Sequence, residues 1–144
     1  MKEKAYQLML KNMLSHSVEE VAVDKAKENQ GAVWLDARER NEYDVSRIGD
    51  AKWVGYDDFE MSRVAGIEKD ADIIVYCSIG YRSEKVAEKL KQAGFTSVKN
   101  LYGGIFSWMN SDYEVKDSLG QKTQKIHAYN KLWGKWLEKG EKVY

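Results

Sequence analysis

Ile73, Ile74, Val75, Tyr76 and Cys77 form an uninterrupted apolar run that ends at the chain's only cysteine, and Ser78, Ile79, Gly80, Tyr81, Arg82 and Ser83 follow directly. Beyond them Val86, Ala87, Leu90 and Ala93 recur at the spacing of one helix face, with Gly94 where that helix should stop. A strand, a short loop and a helix must therefore follow one another here. The cysteine falls on the loop that opens the helix.

Chemistry follows from that placement. The N–H groups of a short loop and the positive end of the next helix converge on whatever sits at the loop's centre. A thiol held there is expected to lose its proton easily. Arg82 adds a positive charge that favours a thiolate and an approaching anion. Gly80 suits a tight loop because it tolerates backbone angles other residues resist. On packing grounds alone Cys77 would be a small buried hydrophobe at a strand end. The glycine, the arginine and the helix together favour the reactive reading, with residues 78–83 as an anion cradle around Cys77.

The rest of the chain bounds the setting. A length of 144 residues with 43% hydrophobic content allows one good core. Lysine plus arginine equals aspartate plus glutamate, so charge gives no reason to invoke nucleic acid or an anionic membrane. A single cysteine excludes an internal disulfide, and His16, His127 and Cys77 lie too far apart in sequence to suggest a metal site; no cofactor is expected. Residues 1–15 read as a short amphipathic helix carrying Leu8, Met9, Met13 and Leu14, with Lys11 and Asn12 interrupting any signal-peptide core. A cytoplasmic protein is the default expectation, and no stretch has the length of a membrane span.

Along the chain, a strand is expected over residues 20–22 and helical turns from Asp24. The run Ala32-Val33-Trp34-Leu35-Asp36 has the continuous apolar character of a strand buried on both faces of a parallel sheet. Arg38 lies just past its carboxyl end, where open α/β sheets place their ligands, and is a candidate substrate contact. Asp36 is read as structural, orienting loop N–H groups or Arg82, because a carboxylate beside a thiolate would raise the thiol's pKa. A one-turn helix and a strand at 51–54 should follow, then a helix over 57–67 with Asp57 as its cap. Residues 97–102 alternate as a strand, and Gly103-Gly104 permits a sharp turn into 105–109. Alternating strands and helices predict a small parallel sheet flanked by helices. Over 123–139, Tyr129, Leu132, Trp133, Trp136 and Leu137 would share one stripe of a helix, and a stripe with two tryptophans is expected to dock on its own domain.

Four ordered motifs within roughly residues 17–113 carry a family resemblance. Cys77-Ser78-Ile79-Gly80-Tyr81-Arg82-Ser83 resembles the C-x-x-G-x-R-S active-site loop of single-domain rhodaneses. Asp36-Ala37-Arg38 resembles their D-x-R, and Glu42-Tyr43 with Ile48-Gly49-Asp50-Ala51 a worn form of a further segment, in which Arg47 replaces the usual histidine. Leu101-Tyr102-Gly103-Gly104-Ile105-Phe106-Ser107-Trp108 is similar to L-x-G-G-x-x-x-W. The resemblance implies a rhodanese-like α/β domain over 17–113, with a helical extension at 1–16 and a helical, docked extension at 114–144. It also implies sulfur transfer: Cys77 takes the outer sulfur of a small anionic donor such as thiosulfate as a persulfide, and passes it to cyanide or an external thiol. The residues alone give an activated thiolate in an anion-binding loop. A non-enzymatic sulfur carrier or interaction module is the alternative. A cysteine-dependent phosphatase or arsenate reductase is less favoured, because Cys77 and Arg82 enclose four residues and those enzymes use a wider loop.

Overall fold

The computed structural model describes residues 2–29 and 31–144. Its centre is the expected run: β4 (Asp72–Tyr76) pairs in parallel with β2 (Val33–Asp36) on one side and β5 (Ser97–Leu101) on the other. β3 (Lys52–Trp53) extends the sheet beyond β2, and β1 (Glu19–Val21) closes the other edge against β5, giving the order β1-β5-β4-β2-β3, parallel throughout. Successive strand side chains face opposite ways, so β4 feeds two cores at once. Ile73 and Val75 pack with Leu35 and with Val86, Ala87 and Leu90 of α4 (Tyr81–Gln92). Ile74 and Tyr76 face Leu101 and the helices α1 (Lys2–Met13), α2 (Val23–Glu28) and α5 (Gly104–Asn110). This is the α/β architecture expected, a parallel sheet with helices on both faces.

Three expectations are corrected. The helix at the N-terminus forms, but of the apolar residues expected on it Leu8 and Met13 are exposed; Tyr6 and Leu10 of α1 are buried instead, with Leu14 just beyond its end. Residues 57–67 form no α-helix and Asp57 caps nothing; a single 3-10 turn covers Met61–Val64. Arg63 explains the irregularity, because its guanidinium donates to the carbonyls of Val54 and Asp58 at 2.8 Å and lies over the Trp53 ring, tying the segment down as a loop. α3 (Arg40–Val45) does form, opened by a capping box between Glu39 and Glu42.

The third correction concerns the C-terminal segment. The continuous helix over 123–139 is replaced by a hairpin of β6 (Val115–Lys116) and β7 (Lys122–Thr123), and a parallel pair of β8 (Lys125–His127) and β9 (Glu141–Val143). Between the members of that pair lies one helical turn, α6 (Lys131–Gly134), capped by the Asn130 side chain, which accepts from the Trp133 N–H. Part of the expected stripe turns inward: Leu137 is buried and Trp133 and Trp136 are partly so, while Tyr129 and Leu132 are exposed. Ile126, Ala128 and Leu137 are fully buried in the same cluster as Tyr6, Leu10 and Trp108, and Tyr6 stacks on Trp136 with ring centres 5.4 Å apart. The pairing of β8 with β9 and the left-handed backbone at Tyr129 (φ 71°) replace the helical period.

Candidate active site

The loop between β4 and α4 is held from three directions. From below, the N–H groups of Ile105 and Phe106 on α5 donate to the carbonyls of Cys77 and Ser78 at 2.9 and 3.1 Å. That approach requires Gly104, since a Cβ there would sit 2.4 Å from the Ser78 carbonyl oxygen. From β5, buried Asn100 donates its amide to the Gly80 carbonyl at 3.0 Å and accepts the Ser83 hydroxyl at 2.6 Å. From α3, buried Glu42 accepts both terminal nitrogens of Arg82, at 2.7 and 3.0 Å, together with the Ser78 hydroxyl at 3.2 Å. Gly80 itself adopts φ 122°, the glycine-only geometry that lets the chain turn sharply into α4.

This frame aims a donor at sulfur. The Gly80 N–H donates to Cys77 Sγ at 3.1 Å, and Ser83 Oγ lies 3.4 Å from the same atom. A hydroxyl carries one proton, and the shorter bond to Asn100 takes it, so a Cys77 S–H can donate to Ser83 Oγ. The first turn of α4 adds N–H groups that have no intrahelical acceptor. Cys77 is only 1% exposed, yet it lines the floor of an open cavity of about 300 Å³ rather than ending in packed hydrocarbon.

The two arginines divide differently from the expectation. Arg82 lines the cavity but is forked on Glu42. Burial opposes its charge, but the bonds to Glu42 hold its pKa above the ordinary arginine value. Burial likewise opposes ionisation of Glu42, yet Arg82 and then Arg38 bring its pKa below the usual carboxylate value. Arg38, expected as a substrate contact, is completely buried: its guanidinium is clamped by Asp36 at 2.7 to 3.2 Å and donates to the Ser46 carbonyl at 2.6 Å. It does not line the cavity, and in this arrangement no substrate reaches it. Asp36 accepts the Arg38 N–H of the loop after β2 at 3.0 Å as well as the Arg38 guanidinium, whereas Arg82 is held by Glu42 instead.

Several site residues escaped the sequence reading as such. Glu42 was visible as half of a motif, but not as the partner of Arg82. Asn100 is a polar residue on an inward strand position, the one local signal it gives. Tyr129 and Trp133, placed on a hypothetical stripe, line the cavity together with Met13 of α1 and Tyr56. Tyr129 lies with its ring 5.1 Å from the Arg82 guanidinium. Among the described residues no group of three metal-ligating side chains is placed to hold an ion, and no helix is long and apolar enough to cross a membrane.

Fold and site together define an α/β protein with one cysteine in a strand-loop-helix cradle at the carboxyl end of a parallel sheet. The rhodanese-like domain family matches residues 19–111, more than half of the chain, and the protein belongs to that family. The chain is similar to the tRNA uridine(34) hydroxylase of an Enterobacter species, at 34% identity over 82 residues that cover 54% of this chain and 24% of that protein. The hydroxylase of the same description from Escherichia coli is 32% identical, with 23% of its length covered. The chain thus spans about a quarter of the curated relatives it matches. Among solved structures, a Bacillus halodurans protein superposes with a TM-score of 0.65 at 25% identity, covering 83% of this chain and 89% of that one. A thiosulfate sulfurtransferase from Pseudomonas aeruginosa shares the fold at TM-score 0.62 and 21% identity, over 83% of this chain and 23% of that chain.

Proposed function

We propose that this protein is a sulfurtransferase in which Cys77 carries sulfane sulfur as a persulfide. The observation that carries the reading is the Gly80 N–H directed at Cys77 Sγ on the floor of an open cavity. Negative charge on that sulfur is met by a fixed donor and by the amino-terminal end of α4, in place of water.

The cycle has two steps and no net oxidation. The Cys77 thiolate attacks the outer sulfur of a donor, the sulfur-sulfur bond of the donor breaks, and its remainder leaves with the electron pair, as sulfite if the donor is thiosulfate. Cys77 then bears a terminal sulfur with one negative charge. An acceptor thiolate attacks that outer sulfur, the bond to Cys77 Sγ breaks, and the thiolate is regenerated. Cys77 is the chain's only cysteine, so the acceptor comes from another molecule. Asn100 acts as a positioning residue through Ser83 and Gly80. Glu42 acts through Arg82 and Ser78, and Asp36 and Arg38 brace the neighbouring strand end.

Incubation with a panel of sulfur donors, thiosulfate and polysulfide included, followed by intact-mass measurement tests this. The wild type should gain the mass of one sulfur and Cys77→Ser should not; a wild type unchanged by every donor leaves a non-catalytic rhodanese-like module as the better reading. Hydroxylation of tRNA is named for relatives of which this chain is a fraction, and no feature of the cavity adds support for it here.

A further inference from the structure

We infer that the acceptor discharging the Cys77 persulfide is an organic thiol bearing an aromatic group, seated against Tyr129 and Trp133 of the C-terminal segment. The inference rests on the persulfide reading above and specifies its substrate class.

Three observations lead to it. The cavity of about 300 Å³ is far larger than cyanide or thiosulfate requires and falls in the range of sites that enclose small organic molecules. Four aromatic residues, Tyr56, Tyr81, Tyr129 and Trp133, line it together with the apolar Met13 and Ile79. Finally, the lining offers little to retain a small inorganic anion such as cyanide as the acceptor. Among the described residues lining the cavity Arg82 is the one arginine or lysine, and its guanidinium is forked on Glu42, while the carboxylates of Glu39 and Asp57 lie on the same lining. In the acceptor step a small inorganic anion therefore finds a committed arginine and acidic residues, whereas an aromatic ring finds other rings.

The wall is built to hold its position. Tyr129 sits in the left-handed region, which non-glycine residues hold only where their surroundings impose it, and its N–H donates to His127 Nδ1 at 3.0 Å. Trp133 is fixed at the start of the turn that Asn130 caps at 3.0 Å. A backbone held in this way keeps both residues on the lining, where their rings offer stacking or edge contacts to an incoming ring. In the transfer, the thiol loses its proton to solvent and its sulfur bonds to the outer sulfur of the persulfide. The Cys77–sulfur bond breaks, and the products are an aralkyl persulfide anion and the Cys77 thiolate.

The test is a single-turnover discharge. Protein loaded with polysulfide and freed of excess donor is mixed with benzyl mercaptan or with 2-mercaptoethanol, thiols of comparable acidity, and the loss of the added sulfur is followed by mass. Benzyl mercaptan should act roughly tenfold faster, the scale of one aromatic contact. Trp133→Leu should bring the ratio of the two rates close to one, and Trp133→Phe should restore most of it. In the wild type, benzyl alcohol should compete and slow discharge by benzyl mercaptan, a result that does not depend on any variant folding. Failure to load any sulfur overturns the persulfide reading and this inference with it. Loading followed by equal rates for the two thiols and no competition overturns the inference alone.

Discussion

The floor and the wall of the cavity are built by opposite means. The floor, residues 77–83, is a net of directed polar contacts: α5 amides on its carbonyls, Asn100 on Gly80 and Ser83, and Glu42 on Arg82 and Ser78. The wall, around Tyr129 and Trp133, hangs from buried apolar anchors at Ile126, Ala128 and Leu137 and leaves Leu132 64% exposed. Directed bonds hold a reacting atom to a fraction of an ångström, whereas apolar contact is tolerant of shape. On the proposed reading the chemistry belongs to the floor, and selection among substrates to the wall.

The most severe way to separate the two is to remove the wall. Deleting residues 117–144 strips Ile126 and Leu137 from the core that also holds Tyr6, Leu10 and Trp108. Two fully buried aliphatic side chains account for about 3–6 kcal/mol, so melting should fall by roughly 10 °C or more. An unchanged melting temperature in differential scanning calorimetry would show that the segment is an appendage and not part of the domain. Next in size comes the floor's ion pair. Glu42→Gln leaves the Arg82 guanidinium, 14% exposed, without its counter-charge. Breaking such a buried pair costs about 3 kcal/mol, which urea denaturation would read. Sulfur loading should slow as well, since Arg82, which also donates to the Ser78 hydroxyl, loses the charge that holds it in place. A loss below about 1 kcal/mol, the scale of an exposed pair, would mean that water reaches this pair.

The same contrast explains what could be read from the chain. Residues 73–83 fix strand, loop and helix through local rules: a continuous apolar run, a glycine, then a helical period. The parallel sheet and the cradle were therefore legible. Tertiary partners were not. Nothing within a few residues of Glu42 shows that Arg82 lies against it, forty residues on, or that Arg38 would be spent on Asp36 instead of facing a substrate. The wall misled for a different reason: Tyr129, Leu132, Trp133 and Leu137 fit a helical stripe numerically. Backbone pairing of Lys125–His127 with Glu141–Val143, sixteen residues further on, overrode that period. Pairings at such range leave no trace in a local window.

A smaller perturbation tests whether the floor's rigidity is what serves the sulfur. Asn100→Ala removes the acceptor of the Ser83 hydroxyl and the donor to the Gly80 carbonyl, both buried. Unsatisfied buried groups cost about 1–3 kcal/mol. The freed Ser83 hydroxyl turns its proton toward Cys77 Sγ, so loading measured at saturating donor should change more than the donor's apparent affinity. If affinity alone shifts, Asn100 shapes the mouth of the cavity and not the cradle.

The smallest effect lies where floor and wall meet, at His127. Burial lowers its pKa below the ordinary histidine value, with Glu42 and Glu39 opposing that shift and Arg38 and Arg82 adding to it. Its Nδ1 accepts the Tyr129 N–H and so carries no proton in the folded state. The unfolded chain takes up a proton near pH 6.5, before the folded chain does. Stability should therefore decline as pH falls from about 6.5 toward the lower folded value, and be unaffected above. His16 works in the opposite sense: its pKa is raised, chiefly by the Lys11 carbonyl and then by Glu20, so its contribution is present at low pH and lost as pH rises. The measurement is accordingly a difference. His127→Asn, whose amide oxygen can accept the same N–H, should lose less stability than wild type between pH 7 and pH 5.5, and equal losses would show that this histidine titrates as it does in water.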